Sequence, residues 1–233
     1  MPIAGVDGCR GGWIVAIDRE DGSEPWVSLV ERFGDVLTST PHLQVVAVDI
    51  PIGLASGQTR VRECDAQARA FLGRPRGSSV FPAPIRQVLG VKPHRAASEL
   101  SRELCGSGLS IQAYCIAGKI KEVDDALSPA ESGRVFEAHP EVCFAKLTGG
   151  PVQTRKKSIE GKRIRRQALV AEFKSQALSM AESKFPRKCV GLDDIYDAFV
   201  CLWTARRIAR GEHGMVPSAP PTDERGLPMR IVY

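Results

Sequence analysis

Carboxylates set beside apolar residues are the features of this sequence best placed to do chemistry. Asp7 closes the apolar stretch Ile3-Ala4-Gly5-Val6 and is followed at once by Gly8; Asp49 closes Val45-Val46-Ala47-Val48 in the same way. A charge among such neighbours is costly to bury unless a cation or hydrogen bonds compensate it. Asp194 and Asp197 lie three residues apart, on one face of a helix whose expected N-cap is Asp193. Glu137-Ala138-His139-Pro140-Glu141 brings a carboxylate, an imidazole and a helix-starting proline together. Carboxylates and water suit Mg²⁺ or Mn²⁺, and two such ions about 4 Å apart can activate a water and stabilise the leaving oxygen of a phosphodiester. The candidate catalytic set is Asp7, Asp49, Glu137, His139, Asp194 and Asp197, with Asp7, Asp49, Asp194 and Asp197 as candidate metal ligands. Plainer roles compete for each. A strand-end aspartate can simply begin a turn, acids in a first helical turn offset the helix dipole, and His139 can cap or pack. A shift of one residue in strand register would turn Glu137 outward.

The surrounding pattern supplies the frame for these acids. Ile3 to Asp7 reads as a buried strand, Gly8 to Gly12 as a tight turn, and Trp13 to Ile17 as an antiparallel second strand. Trp26 to Val30 follows as a third strand and Phe33 to Thr38 as a short helix. Val45 to Ile50 is a continuous apolar strand of the kind buried in a parallel sheet. From Pro51 to about Ser132 helical stretches at Arg60 to Leu72, His94 to Leu104 and Ile111 to Ala126 are separated by Gly and Pro breaks. A fifth strand at Arg134 to Glu137 precedes helices near Pro140 to Leu147, Ser158 to Met180 and Asp194 to Arg210. The last helix has Ala198, Cys201, Ala205 and Ile208 at amphipathic spacing, and a Pro-rich tail leads to a terminal strand at Met229 to Val232. Three antiparallel strands, a parallel addition, a crossover, another strand and a closing helix form the RNase-H-like order. The expected class is α/β: a five-stranded mixed sheet flanked by helices in one domain over residues 1–233, with a helical insertion at 54–132 after the fourth strand. Asp7 and Asp49 would then converge at the carboxyl edge, where α/β sheets bind ligands.

With 233 residues, 43% apolar and 25% charged, the chain has the composition of an ordinary globular protein. Its longest apolar runs, Val45 to Val48 and Ala198 to Trp203, fall far short of the roughly 20 residues that span a bilayer. Residues 1–7 carry an acid where a signal peptide needs apolar residues, so no membrane partner and a cytoplasmic location are expected. Seven cysteines without any C-x-x-C pair point to free thiols in a reducing compartment, not to a zinc site. The net charge of +5 favours an acidic partner only mildly. A homodimer is a possible arrangement that no residue pattern requires.

The motifs Gly5-Val6-Asp7-Gly8-Cys9-Arg10-Gly11-Gly12-Trp13, Val48-Asp49-Ile50-Pro51-Ile52-Gly53, Arg62-Glu63-Cys64-Asp65, Ser78-Ser79-Val80-Phe81-Pro82-Ala83-Pro84, Glu137-Ala138-His139-Pro140-Glu141 and Asp193-Asp194-Ile195-Tyr196-Asp197-Ala198 span nearly the whole chain. In them the chain resembles a bacterial and archaeal domain-of-unknown-function family described as predicted RNase-H-like nucleases. The resemblance implies that fold and a divalent-metal-dependent cleavage of nucleic acid. The set also resembles the Holliday-junction resolvase branch of the superfamily, which places one Asp on the first strand, one acid after the fourth and a paired acid motif on the last helix. Asp7, Asp49, Asp194 and Asp197 would carry those roles. Here the second acid stands in a Pro-containing strand end, so either Asp49 or Asp65 fills it, with Asp49 preferred.

Seven cations against one acid lie between Arg155 and Arg166. Lys156, Lys157, Lys162 and Arg163, with Arg10 and Arg86, are the candidate nucleic-acid contacts, against the alternative of a solvated helix start. Ser78 to Arg86 reads as a substrate lid, in which Phe81 either stacks on a base or packs inward, and Arg60, Arg62, Arg69, Arg74 and Arg76 add positive charge nearby. Two other functions compete with the nuclease. An actin-like or kinase-type phosphotransferase shares the Asp-Gly turn but needs a second copy of the fold and a second Gly-rich phosphate loop. A non-catalytic scaffold binding nucleic acid or protein would retain the acidic pocket without cutting. If the basic run grips phosphates, replacing Lys156, Lys157 and Arg163 with alanine weakens nucleic-acid binding and flattens its salt dependence, which a salt titration of affinity measures.

Overall fold

The computed structural model describes residues 1–38, 42–57 and 61–233. Its strands and helices run β1 (Ile3–Cys9), β2 (Gly12–Asp18), β3 (Trp26–Val30), α1 (Phe33–Leu37), β4 (Val45–Val48), α2 (Glu63–Leu72), α3 (His94–Cys105) and α4 (Ile111–Ala126). They continue as β5 (Val135–Glu137), α5 (Pro140–Leu147), α6 (Ile159–Phe173), α7 (Ser175–Lys184), α8 (Leu192–Ala209), β6 (Met215–Val216) and β7 (Ile231–Val232). Arg60, where the sequence placed a helix start, lies outside the described residues.

The main sheet has the order β3-β2-β1-β4-β5. β1, β2 and β3 pair antiparallel, whereas β4 lies parallel to β1 and β5 parallel to β4. The five-stranded mixed α/β sheet expected from the sequence is therefore the observed fold. Its apolar strands are covered on both faces. One face buries Ile3, Ala47 and Phe136 beneath Ala198, Cys201 and Leu202 of α8. The other buries Ala4, Val6, Val46 and Val48 against Ile120 and Val123 of α4 and Phe33 of α1. Successive strand residues alternate between the two cores, as the pleat requires.

Four local expectations change. The long helix from Ser158 to Met180 is two helices, because Lys174 between them takes a positive φ of 61°. Neither glycine nor proline marks that break. α8 is not amphipathic in its middle: Ile195 through Ala205 are all buried, since α8 lies on β1 and is flanked by α5 and α6. Its N-cap is Gly191, not Asp193, and Asp194 at the third helical position accepts from the Gly191 N–H at 2.8 Å. The terminal strand exists as β7 but pairs with β6 in a separate two-stranded ribbon. Among the described residues no helix is long and apolar enough to cross a membrane.

Packing between α8 and the sheet is tight at Gly5, in the middle of β1. A Cβ there would meet the backbone N of Leu202 at 2.0 Å and the carbonyl O of Ala198 at 2.1 Å. Backbone atoms of a buried helix cannot step aside as a flexible side-chain end can. Gly5→Ala should lower stability by about 3 kcal/mol in chemical denaturation, because α8 must lift off β1 to admit one methyl group.

Candidate metal centre

Strand pairing brings two of the acids together. β1 and β4 run parallel with Val6 opposite Val48, and the Asp49 N–H continues the ladder to the Val6 carbonyl at 2.9 Å. Asp7, which β1 continues past to Cys9, and Asp49, just beyond β4, are thus neighbours where the parallel pairing of the two strands ends. Alternation points Asp7 to the side of Ile3 and Gly5, and Asp49 to the side of Ala47, which is the face that carries α8. Asp197 stands on α8 one residue before Ala198, whose carbonyl oxygen crowds Gly5. One oxygen from each of Asp7, Asp49 and Asp197 lies within 4.8 Å of the others.

This is an electrostatically costly arrangement. Asp7 is 7% exposed and Asp197 1%. Burial, then the charges of Asp197 and Asp49, hold the Asp7 carboxyl well above the usual carboxylate range. Burial pushes Asp49 up to about 6 and Asp197 up to about 7, with Lys156 opposing both shifts. Oδ1 of Asp197 is buried without any hydrogen-bond partner. A buried carboxylate oxygen seldom goes unpaired, and a divalent ion among three converging carboxylates would satisfy it. The donor set is all oxygen, which suits a hard cation such as Mg²⁺ or Mn²⁺.

The remaining expected site residues are distributed differently. Asp194 is half-buried at the start of α8, where it accepts the Gly191 N–H, and is not part of the converging group. Glu137 is opposite Val48 in β5 and points with Val135 to the other face of the sheet. There its Oε2 accepts the Ile52 N–H at 2.7 Å and the buried guanidinium of Arg62. Burial, despite Arg62, pushes its carboxyl up to about 8. Glu137 thus braces the segment after β4 from the side of the sheet opposite the aspartates. Asp65 belongs to the same network, 3.7 Å from Arg62 and accepting the Ala83 N–H at 2.9 Å, so Asp49 is the acid that completes the triad.

His139 precedes Pro140 at the N-cap of α5, and its Nδ1 is buried without a partner. Burial lowers its pKa against the opposing charges of Glu141 and Asp197, so the imidazole beside the aspartates is neutral near pH 7. Glu141 was not singled out in the sequence, yet it is the acid that ties the site to its surroundings. It accepts two bonds from Arg165 at 2.6 and 2.8 Å and pairs with Arg76 at 2.6 Å, and its charge raises the pKa of both Asp49 and Asp197. The signal available in sequence was its place in the first turn after Pro140.

Three of the six candidate nucleic-acid contacts, Lys156, Arg86 and Arg163, are already engaged. Lys156 donates to Oδ2 of Asp197. Arg86 binds Asp124 at 2.9 Å, Glu224 at 2.9 Å and also Asp223, which makes it an internal tie instead of a phosphate ligand. Arg163 pairs with Glu160 at 2.6 Å, Arg165 with Glu141, and Arg166 with Glu182 at 2.7 Å. Arg10, Arg155, Lys157 and Lys162 form no ion pair among the described residues. Arg69 donates to the Val80 carbonyl, and Phe81 packs partly buried against the cluster of Ile85 and Ala97. The inward alternative for Phe81 is the one realised.

Fold and site together define an α/β protein with a five-stranded mixed sheet and three aspartates, Asp7 and Asp197 buried and Asp49 half-buried, converging at its carboxyl edge. The chain belongs to the family described as protein of unknown function (DUF429), whose model matches residues 5–222. Comparison with curated proteins and with solved structures found no match.

The triad makes a prediction about stability. A carboxyl whose pKa is raised by folding holds its proton in the native state after the unfolded chain has lost its own, so its contribution declines as pH rises above about 4. Metal-free Asp7→Asn should therefore melt no lower than the wild type, by a margin that widens from pH 4 toward pH 7. Thermal melts across that range check it; a margin that shrinks as pH rises contradicts it.

Proposed function

We propose that this protein is a divalent-metal-dependent nuclease that hydrolyses phosphodiester bonds. The observation that carries this reading is the convergence of Asp7, Asp49 and Asp197 about an unpartnered buried oxygen, Oδ1 of Asp197. These three would hold the metal, and when bound it supplies an activated water and stabilises the leaving oxygen. The chain's own residues account for the other requirements. The neutral imidazole of His139 has a free Nδ1 that can take up a proton and hand it on. Glu141, held by Arg165 and Arg76, keeps α5 and the Arg76–Ser79 turn in register with the triad. Arg10, beyond the carboxyl end of β1, and Lys157 and Lys162, around the start of α6, are unpaired among the described residues and serve as cations for substrate phosphates. The run of seven cations thus reduces to fewer free charges, so the salt dependence of binding should follow Lys157 and Lys162 more than Arg163. Buried free thiols at Cys9, Cys64, Cys143 and Cys201 suit a reducing cytoplasm.

One observation favours a second reading. Lys156 already neutralises Asp197, as it would in a binding protein whose acidic pocket never takes up metal. The deciding experiment is cleavage of labelled single-stranded, duplex and branched DNA and RNA in Mg²⁺ or Mn²⁺. Wild type should cut at least one of them. Asp7→Asn and Asp197→Asn should lose roughly a thousandfold, about 4 kcal/mol of transition-state stabilisation, and His139→Gln about a hundredfold. A folded wild type that cuts none of them, or an Asp7→Asn variant that cuts equally well, defeats the nuclease reading.

A further inference from the structure

Lys156 stands in the segment between α5 and α6, and its ammonium donates to Oδ2 of Asp197. The two partners are held very differently. Asp197 is 1% exposed and belongs to the buried stretch of α8, whereas 32% of the Lys156 side chain reaches solvent from irregular backbone. The carboxylate therefore has no route away from the triad, but the ammonium has one. Beyond Asp197, the charges of Asp7 and Asp49 also act on Lys156, so it serves the whole cluster and not one acid alone.

A divalent ion binds carboxylate oxygens at roughly 2.0–2.6 Å. Placed among oxygens that lie within 4.8 Å of one another, it would come within a few ångströms of an ammonium touching one of the same carboxylates. Like charges that close in a poorly solvated site repel strongly, and only the flexible, partly exposed lysine can retreat. Resting on the metal-binding reading above, we propose that Lys156 is the triad's built-in counter-ion: it holds the three carboxylates together without metal and gives up its place when the ion binds. The exchange is of cations only, with no bond made or broken covalently. Lys156 is on this account a positioning residue whose effect is read in metal affinity.

The test is calorimetric titration of Mn²⁺ into wild type, Lys156→Met and Lys156→Arg. Removing the competing charge should tighten Mn²⁺ binding roughly tenfold or more in Lys156→Met, while Lys156→Arg stays at or above the wild-type Kd. Because Lys156→Met leaves buried acids unpaired and can fail to fold, a second measurement uses the wild type alone. Acetylation of Lys156 by an amine-reactive ester, followed by mass spectrometry, should quicken severalfold in saturating Mn²⁺ as the ammonium moves to solvent. Wild type that binds Mn²⁺ with Lys156→Met no tighter, or with Lys156 acetylation unchanged, overturns this role and leaves the metal site standing. If neither wild type nor Lys156→Met takes up Mn²⁺, the metal reading fails and this role with it.

Discussion

The approach of α8 to β1 at Gly5 is the contact on which the rest of the structure depends. The backbone at Ala198 and Leu202 comes so close to β1 that no side chain fits between them. That proximity, and not any direct bond between the acids, sets Asp197 beside Asp7. The same contact demands that α8 be apolar all along Ile195 to Ala205, so the one carboxylate within that stretch is conspicuous. An acid placed there is desolvated by the packing that positions it, and its free energy cost is offset only by a cation.

The sheet sorts the remaining charges by face. On the α8 side, Asp7 and Asp49 meet Asp197, with Lys156 as counter-charge. On the opposite side, Glu137 is matched by the fully buried Arg62, which also lies near Asp65. Glu141, on α5, is matched by Arg165 and Arg76. Glu137 and Glu141 have arginine partners of fixed geometry, as structural ion pairs generally do. The triad has a single lysine for three carboxylates and leaves Oδ1 of Asp197 unpartnered. Arg62 likewise serves two acids, so what sets the triad apart among the described residues is its unpartnered carboxylate oxygen.

The segment between β4 and β5 closes around this arrangement with internal ties. Arg86 joins the turn at Arg86–Val88 to Asp124 of α4 and to Asp223 near the C-terminus, and Asp223 in turn accepts the Leu54 N–H at 2.9 Å. Arg225 donates to the Leu127 carbonyl at 2.9 Å. Chain regions distant in sequence are thus pinned together by buried or half-buried arginines. Two cations that read as phosphate contacts in the sequence, Arg86 and Lys156, are instead paired with buried acids.

The sheet was legible in sequence because its information is local. Apolar runs ending in Asp7 and Asp49 carry their own period and their own turn residues, and two parallel strands in register necessarily set the residues that end them side by side. Asp197 was legible too, through its spacing from Asp194 and its apolar neighbours. What sequence left open were matters of direction and partner. Whether Glu137 faces the aspartates depends on its place in the β4–β5 register, and Glu141 becomes part of the site only because Arg165 and Arg76 reach it from other elements. Whether Lys156 or Arg86 is free for a phosphate depends on acids more than 35 residues away in the chain. Sequence by itself determined the strands, their acids and the class of chemistry those acids suit, since side-chain type and period belong to each segment alone. Only the tertiary structure decided which carboxylates share one space and which cations already serve them, because charge pairing is settled by distance after the chain has packed.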